Sequence, residues 1–378
     1  MNILILTSNY PTKYLPSSGS FVESQVNLLK SRGHSVDVLI CDFQKIPRRN
    51  PVKLVLGLFQ KSKVELQNQT YLDINFINIG TKIYTQQFEF INAEKITSYD
   101  IIHAHDCIWA GYLSLLLNKK YKINYAITSH VPYVINDNWI NFKLTFNILS
   151  SSKLIFTVGQ QDKNMLSCVF PADKIQLLGN FIDEEIYYPS SKKVKNKFTI
   201  SSIASTSLRK NIPLFISLIG LVKNANKAVK DFKVILVLAE VSDGITIEQI
   251  KCLIEKNGLD NIIELKLNLP QKEIIEVYKE TDLYVSTSGF ETFGMTIAEA
   301  LAMDIPTVII KNGASEDFIP IDSGSVFLET EIQDMSEKII MHINEEISCK
   351  ESHDFIKSNF GKDTFYTKLM TGYQFLIS

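Results

Sequence analysis

The sequence predicts an α/β protein made of two doubly wound, Rossmann-like domains that face each other across a cleft. Its 378 residues exceed what one compact core of ordinary size holds. Short apolar runs alternate with amphipathic helical stretches along both halves, as in the strand–helix–strand units of a parallel sheet. A polar, basic segment broken by proline, at 187–197, separates the halves. We therefore predict domains at 1–188 and 189–378, with the last helix as a candidate to pack back on the first domain.

The first half contains the elements of one such domain. Apolar runs predict strands at 3–6, 36–40, 101–102, 125–128 and 153–158. Helical spacing of the apolar residues predicts helices at 21–31 and 109–117. Because strands and helices alternate, the strands are expected to run parallel.

The second half repeats the alternation without repeating the sequence. Strands are predicted at 198–204, 234–239, 262–265, 283–286 and 307–310. Helices are predicted at 212–223, 245–257, 272–279 and 296–303. Asp304 follows the last of these helices, and we expect it to adopt the left-handed backbone conformation of a helix end. Ligands of doubly wound sheets bind outside the carboxyl ends of the strands, so the cleft between the domains is the expected site.

Composition excludes several classes of protein. The chain is 45% hydrophobic and 21% charged, with a formal net charge of −2, whereas a nucleic-acid-binding domain needs a strongly basic face. Its five cysteines are scattered without a Cys-x-x-Cys pair, which favours a reducing compartment over a disulfide framework or a zinc site. No run reaches the ~18 apolar residues of a membrane span. The first apolar run lacks the basic residues of a signal peptide, so we expect a cytoplasmic protein.

A metal site is not expected either, since the sequence has no Asp-x-Asp pair. His103 and His105 occupy alternate positions of a predicted strand and so face the same side of the sheet. Two histidines alone are a weak ligand pair, and a packed or hydrogen-bonded structural role is favoured.

The stretch STSGFETFGMTIAEALA at 286–302 carries the most specific chemistry. It follows a predicted buried strand and leads through Gly294 into a helix, whose first N–H groups form an anion site. Glu291 precedes this helix, and Glu299 lies about 6 Å along the axis from Met295, on the same face. Two carboxylates beside an anion site suit a diphosphate flanked by polyols, as in a nucleotide-sugar. The alternative is that Glu299 caps or salt-bridges an exposed helix turn.

This stretch resembles the Glu-x7-Glu signature of the retaining glycosyltransferases of family 4, the glycosyl transferases group 1, which have the GT-B fold. Further segments match the family in the same order, and the resemblance extends to about residue 325. These segments are the loop and helix start at 18–21, the D-x-x-H-x-H strand at 100–105, the T-x-H at 128–130, the segment at 179–183 and the basic site at 208–211.

The resemblance implies a donor site for a nucleotide-sugar such as a UDP- or GDP-sugar, with no further cofactor and no metal. Glu299 would hold the ribose hydroxyls. Gly19 would let the first loop approach the phosphates and the acceptor. Backbone N–H groups would face the sugar and the diphosphate at Phe293, Gly294, Met295 and Thr296.

The resemblance also implies the catalytic residues. Glu291 would hold hydroxyls of the donor sugar, and His130 would come from the first domain to the reacting carbon. Arg209 and Lys210 would neutralise the leaving diphosphate, where preorganised positive charge matters most. The expected activity is retaining hexosyl or N-acetylhexosaminyl transfer to a glycan or a lipid-linked glycan, in bacterial surface polysaccharide or glycolipid synthesis.

Two departures from the family pattern keep other hypotheses open. Ser205 and Ala204 stand where the family commonly has an arginine, and a glycine pair is missing from the segment at 237–244. A degenerate, non-catalytic partner of an active transferase is therefore the main alternative. A nucleotide-dependent dehydrogenase is disfavoured, since no Gly-x-Gly-x-x-Gly follows the first strand.

A basic segment at 45–63 bears on the location of the protein. It contains six Lys and Arg residues and no acidic residue, around the apolar run 54–59. One interpretation is a buried helix flanked by solvated lysines. The other is an interfacial segment that meets anionic lipid headgroups, so that the enzyme lies on the inner face of the plasma membrane and receives a lipid-linked acceptor.

Overall fold

The computed structural model describes most of the chain in two compact units. The described residues are 1–11, 19–42, 58–59, 61–66, 68–74, 76–79, 82–85, 87–130, 139–189, 197–225, 229–242, 244–315, 319, 323–347 and 350–378. The first unit comprises residues 1–179 and 366–378, and the second comprises residues 180–365. The boundary thus lies upstream of the polar segment at 187–197, of which residues 190–196 fall outside the described part.

The first unit contains a seven-stranded parallel sheet with strand order β11-β10-β9-β8-β1-β2-β4. Strands β3 and β7 pair in parallel, and β5 and β6 pair as an antiparallel hairpin. The strands are β1 (Asn2–Thr7), β2 (Ser35–Asp42), β3 (Ser62–Val64), β4 (Gln69–Asp73), β5 (Phe76–Ile79), β6 (Lys82–Thr85), β7 (Phe88–Phe90), β8 (Ile101–Ala104), β9 (Tyr125–Ser129), β10 (Leu154–Thr157) and β11 (Ile175–Leu177). The helices are α1 (Ser20–Ser31), α2 (Ala93–Thr97), α3 (Trp109–Tyr121), α4 (Trp139–Ser151) and α5 (Gln160–Ser167).

The second unit contains a six-stranded parallel sheet with strand order β14-β13-β12-β15-β16-β17. Its strands are β12 (Phe198–Ser205), β13 (Phe232–Ala239), β14 (Ile263–Leu267), β15 (Leu283–Ser286), β16 (Thr307–Ile310) and β17 (Gly324–Phe327). The remaining helices are α6 (Ile212–Lys223), α7 (Ile247–Lys256), α8 (Gln271–Glu280), α9 (Met295–Ala302), α10 (Ile332–Ile343), α11 (His353–Phe360) and α12 (Lys362–Ile377). These two parallel sheets confirm the predicted α/β fold class.

Each sheet has one point where the strand order reverses. In the second unit the chain moves outward from β12 through β13 to β14, then returns to the other side of β12 as β15. In the first unit β8 returns to the side of β1 opposite β2. Ligands of doubly wound sheets bind outside the carboxyl ends of the strands at this reversal. The loops after β12 and β15, and those after β1 and β8, are therefore the places to look for function.

Apolar side chains cover both sides of these central strands, as parallel sheets require. In β15, for example, all four residues are buried. Leu283 and Val285 belong to one core cluster, which also contains Phe215 of α6 and Ile339 of α10. Tyr284, between them, belongs to another cluster, with residues of α8 and α9. The strand is thus fixed from both sides, which holds the loop that follows it.

The last helix contributes most of its length to the first unit. Gly372 lies so close to the Phe156 ring that a Cβ atom there would be 2.4 Å from Cζ, and the neighbouring Tyr373 is fully buried. The Lys153 ammonium donates to the carbonyl of Leu376 at 3.2 Å. The end of the chain is therefore part of the first unit's core.

Asp304 confirms the predicted left-handed conformation, with φ 55°. Its Oδ1 accepts hydrogen bonds from the N–H groups of Ser352 and His353, both at 2.7 Å, at the start of α11. The residue therefore ends one helix and caps another. Within the part of the chain that the structure describes, no helix combines the length and apolarity that crossing a membrane requires.

Candidate active site

Two loops of the second unit meet at the carboxyl ends of β12 and β15. The loop after β12 forms a short 3-10 turn at Leu208–Lys210. The Gly289 N–H donates to the carbonyl of Arg209 at 2.9 Å, and the Thr287 hydroxyl donates to the carbonyl of Asn211 at 3.1 Å. These bonds fix the basic turn against the loop that carries Glu291.

Glu291 is a buried carboxylate at the centre of an ion cluster, in which the Arg209 side chain is 48% exposed. The Glu291 side chain is 9% exposed, and its Oε1 is paired with the ammonium of Lys210, which is itself 15% exposed. Arg209 places Nη1 3.4 Å from Oε2 of the same carboxylate and 3.3 Å from the carbonyl oxygen of Phe290. A carboxylate out of water needs opposite charge and hydrogen bonds to remain ionised without a large cost. Two adjacent basic side chains thus converge on one acidic group.

Helix α9 begins directly beyond this cluster, at Gly294. This residue has φ 92°, in the left-handed region, and a Cβ atom there would lie 2.2 Å from the Ser315 hydroxyl oxygen. Only glycine fits both constraints. The N–H groups of Met295 and Thr296 belong to the first turn of the helix, where helix geometry supplies no intrahelical acceptor. A helix start of this kind binds anions.

Phe293 is a core residue at the same helix start. Its side chain is 4% exposed, and its ring packs edge-on against Phe360 at 5.5 Å between centroids. Its carbonyl accepts a hydrogen bond from the Ser315 hydroxyl at 3.3 Å. The side chain therefore anchors the loop at the helix start.

Glu299 lies one turn into α9, where tyrosine hydroxyls surround its carboxyl, and not on an exposed turn. The Tyr278 hydroxyl is 2.9 Å from Oε2 of Glu299 and 2.9 Å from the carbonyl oxygen of Thr296. Tyr187 also hydrogen-bonds the carboxyl. Burial raises the pKa of Glu299 to about 7, although the two tyrosine hydrogen bonds act in the opposite direction. The alternative of a solvated cap or salt bridge is wrong.

The first unit gathers three histidines at the carboxyl ends of β8 and β9. Nδ1 of His105 is 3.0 Å from Nε2 of His130, and the ring centroids of His103 and His105 are 4.3 Å apart. Burial lowers the pKa of His103 and of His130 to about 3, and lowers that of His105 well below its usual value. All three imidazoles are therefore neutral at physiological pH. The structural, hydrogen-bonded role predicted for His103 and His105 is confirmed.

Gly19 has a structural reason to be glycine. It begins α1 with φ 66°, and a Cβ atom there would be 2.0 Å from the carbonyl oxygen of Asn9. Phe21, in the first turn of α1, packs on the His130 ring at 4.2 Å between centroids. The glycine thus lets α1 start close to the loop after β1. Ser18, which belongs to the matched segment at 18–21, lies outside the described residues.

Sequence reasoning missed Tyr187 and Tyr278. Tyr187 stands at the start of the polar segment at 187–197, and Tyr278 lies in an amphipathic helical stretch, so neither sequence context points to a ligand site. Only the fold shows that their hydroxyls reach Glu299. Among the described residues no group of three or more His, Cys, Asp or Glu side chains is arranged to hold a metal ion.

The raised pKa of Glu299 predicts how stability depends on pH. Between pH 4.5 and about 7 the folded protein keeps a proton on Glu299 that the unfolded chain has lost, so stability falls as pH rises through this window. Glu299→Gln has no carboxyl to titrate at this position, so the free energy of unfolding of this variant should not fall with pH for this reason. At about 1.4 kcal/mol per pKa unit, discounted for the partial exposure of the side chain, the variant should gain about 2 kcal/mol on the wild type by pH 7.5.

Melting temperatures measured from pH 4.5 to 8 test this expectation. Glu255→Gln, at an exposed position of α7, is the control and should track the wild type. Parallel curves for Glu299→Gln and the wild type would show that the carboxyl titrates normally.

Two family descriptions match the chain, one in each half. Glycosyltransferase Family 4 matches residues 18–186, and Glycosyl transferases group 1 matches residues 183–360. A probable sucrose-phosphate synthase from Thermosipho melanesiensis is 26% identical over 261 residues, which are 61% of this chain and 59% of that protein. This match thus leaves about two fifths of that relative's length uncovered.

Two further proteins are similar over nearly the full chain. The alpha-monoglucosyldiacylglycerol synthase of Acholeplasma laidlawii is 21% identical over 361 residues, 87% of this chain and 85% of that protein. The structure of Anabaena Alr3699/HepE in complex with UDP-glucose has a TM-score of 0.71 at 15% identity, and the match covers 99% of this chain and 100% of that one. The similarity to this structure shows the GT-B fold. The two family matches, at 18–186 and 183–360, together span most of the chain and show that it belongs to the family 4, group 1 glycosyltransferases.

Proposed function

We propose that the protein transfers a hexose or N-acetylhexosamine from a nucleotide-sugar to a glycan or lipid-linked glycan, with retention at the anomeric carbon. The observation that carries the proposal is the ion cluster of Glu291, Lys210 and Arg209, which lies where the strand order reverses and just before the start of α9. Positive charge, an anion-binding helix start and a second carboxyl at Glu299 are what a sugar diphosphate needs. The UDP-glucose bound by the HepE neighbour supports a donor of this class.

Lys210 and Arg209 would stabilise the leaving diphosphate. An ammonium has three donors and a guanidinium five, so each side chain can keep its contact to Glu291 and still bond phosphate oxygens. Glu291 holds both cations in place before the reaction, and preorganised charge of this kind stabilises a transition state without reorganisation. The convergence on one carboxylate also supports Arg209 as the substitute for the arginine that the family commonly has at 204–205.

Retention would follow from attack on the face of the leaving group. The bond from the anomeric carbon to the phosphate oxygen breaks, the acceptor oxygen bonds to the same face, and its proton passes to the departing phosphate. A double displacement would need a carboxylate nucleophile, and Glu291 is a poor one because two cations occupy its oxygens. The two cations supply charge stabilisation that a metal ion provides in other transferases, which supports a metal-independent reaction.

The acceptor is assigned to the first unit, and a lipid-linked glycan is favoured. The similarity to an alpha-monoglucosyldiacylglycerol synthase supports a lipid acceptor. A lipid acceptor would in turn suit a protein that works at the inner face of the plasma membrane. Residues 45–57 and 60 of the basic segment lie outside the described residues. Of the described part, Phe59 is 81% exposed and Lys61 and Lys63 are exposed, which suits contact with anionic headgroups.

Thermal-shift measurements against UDP-, GDP-, ADP- and dTDP-sugars test the donor class. A donor at a hundred times its dissociation constant should stabilise the protein by about 2.7 kcal/mol. The anomeric configuration of the product, determined by NMR in the presence of EDTA, should match that of the donor. An inverted product or complete inhibition by EDTA would contradict the proposal. Donor binding without transfer to any acceptor would favour the non-catalytic partner instead.

Substitution of Lys210 tests its role against that of Glu299. Lys210→Ala should lower kcat by roughly 10²–10³ because charge builds on the leaving diphosphate. Glu299→Ala should mainly raise the KM for the donor, because a ribose contact is made equally in the ground and transition states. Lys233→Ala is the matched control, since Lys233 pairs with Glu280 at an exposed site of the same unit. Wild-type turnover by Lys210→Ala would remove Lys210 from the mechanism.

Co-sedimentation with lipid vesicles tests the membrane proposal. Binding should require anionic lipid, weaken with salt, and fall when Lys61 and Lys63 become glutamate, since each basic residue contributes about 1 kcal/mol near an anionic surface. Lys119→Glu/Lys120→Glu, at exposed positions of α3, is the control for charge alone. If the protein does not co-sediment with anionic vesicles even at low salt, a soluble acceptor is favoured.

A further inference from the structure

Helix α9 of the second unit has one open face. Five of its eight residues are buried, namely Ile297, Ala298, Ala300, Leu301 and Ala302. The other three, Met295, Thr296 and Glu299, are only partly buried. Spacings of three and four residues place Glu299 on the side of the helix that also carries Met295 and Thr296. The open face thus joins the first turn, whose N–H groups lack an intrahelical acceptor, to one carboxyl group.

Two tyrosine hydroxyls from outside the helix hold this carboxyl. Tyr278, on α8, places its hydroxyl oxygen 2.9 Å from Oε2 of Glu299. Tyr187, between β11 and β12, hydrogen-bonds the same carboxyl. Both tyrosines are buried, and their rings pack edge-on with 6.1 Å between centroids. Because packed aromatic rings have little freedom to move, the carboxyl meets two partners whose positions are set by the core.

The Tyr278 hydroxyl also ties the carboxyl to the start of α9. Its oxygen is 2.9 Å from the carbonyl oxygen of Thr296, in the first turn. A phenol hydroxyl both donates and accepts. It can donate to an ionised Glu299, and it can accept from a protonated Glu299 while it donates to the Thr296 carbonyl. The link between the carboxyl and the first turn therefore persists in both charge states.

Core packing alone does not explain a carboxyl at this position. The buried Tyr278 hydroxyl already has an acceptor in the Thr296 carbonyl, so it does not need Glu299. The carboxyl is itself costly there, since burial raises the pKa of Glu299 to about 7 although both tyrosine hydrogen bonds lower it. Such a group on an open face, beside the reversal of strand order, indicates a binding role.

We propose that Tyr278 and Tyr187 are positioning residues, which fix the Glu299 carboxyl relative to the start of α9 so that it meets the ribose diol while the N–H groups meet the diphosphate. A glutamate side chain that rotates freely loses conformational entropy when a ligand immobilises it. The two hydroxyls remove this cost before the ligand binds. The contact with ribose rests on the proposed function, whereas the immobilisation of the carboxyl rests on the second unit alone.

The titration of Glu299 tests the immobilisation without a ligand. It is followed in the full chain by ¹³C NMR of the glutamate carboxyls, with Glu299→Gln for assignment. Tyr278→Phe and Tyr187→Phe should each raise the pKa of Glu299, because each removes a hydrogen bond that favours the ionised form. Tyr284→Phe is the matched control, since Tyr284 packs beside Tyr278 and its hydroxyl bonds the Ile203 carbonyl instead. An unchanged titration in both test variants would overturn the inference.

Nucleotides with and without the ribose hydroxyls test the positioning itself. UDP, GDP and ADP are each compared with the dideoxyribose analogue. Tyr278→Phe should weaken binding of the parent nucleotide by roughly threefold to tenfold, which corresponds to the net contribution of one hydrogen bond, and should leave the analogue unaffected. In a Glu299→Ala background, Tyr278→Phe should cause no further loss. Equal losses for the parent nucleotide and the analogue would reduce Tyr278 to a packing residue.

The two proposals fail separately. If the tyrosine variants shift the titration but the wild type binds no nucleoside diphosphate, the proposed function fails with its ribose contact, and the immobilisation of Glu299 stands. If the wild type transfers sugar while the titration ignores both variants, the proposed function stands and the role of the tyrosines falls. Should one of the two variants not fold, the other decides the matter.

Discussion

The buried carboxylate of Glu291 is the constraint on which the rest of the second unit's site depends. A carboxylate this far from water is tolerated only beside opposite charge, and Lys210 and Arg209 supply it from another loop. The two loops can meet because β12 and β15 are neighbours in the sheet, with Ile200 opposite Leu283. The reversal of strand order between them is therefore what brings acid and base together. The sheet topology thus determines the electrostatics of the site.

The two units differ in how they use buried polar groups. The second unit concentrates charge in the Glu291 cluster, with the N–H groups of α9 next along the chain, which suits an anionic ligand. The first unit gathers neutral imidazoles, because burial holds the pKa of His103, His105 and His130 below physiological pH. Neutral donors and acceptors suit hydroxyl groups rather than phosphates. This contrast is what we expect of a donor-binding unit and an acceptor-binding unit.

Much of the fold could be predicted from the sequence, because apolar runs and turn residues determine it locally. The strands at 283–286 and 307–310 were predicted to the residue, and α6 at 212–223 as well. The edge strands β4, β11 and β17 were missed because most of their residues are exposed or only partly buried, so they lack the apolar run of a central strand. The hairpin of β5 and β6 was missed as well. The partition of α12 between the two units could not be predicted, because it depends on contacts such as that of Gly372 with Phe156.

The candidate site was only partly predictable. Motif spacing identified both glutamates and the basic pair, but not that Arg209 and Lys210 point the same way. That convergence depends on the 3-10 turn and on Asn211, which adopts a left-handed conformation with φ 49°. The tyrosines around Glu299 and the bond between His105 and His130 depend on tertiary packing. Spacing along a sequence carries no information about which hydroxyl reaches which carboxyl.

The free-energy coupling between Lys210 and Glu291 tests the central claim most directly. A double-mutant cycle compares Lys210→Met, Glu291→Gln and the double variant by denaturant unfolding. Removing one partner leaves a buried charge with weakened compensation, so each single change should destabilise the protein by several kcal/mol, up to about 3–5. The double variant should cost at least 1 kcal/mol less than the sum of the single changes, within the range found for coupled neighbours, roughly 0.5–3 kcal/mol. Single costs that add to within about 0.5 kcal/mol would show that the two groups act independently, and would contradict the account.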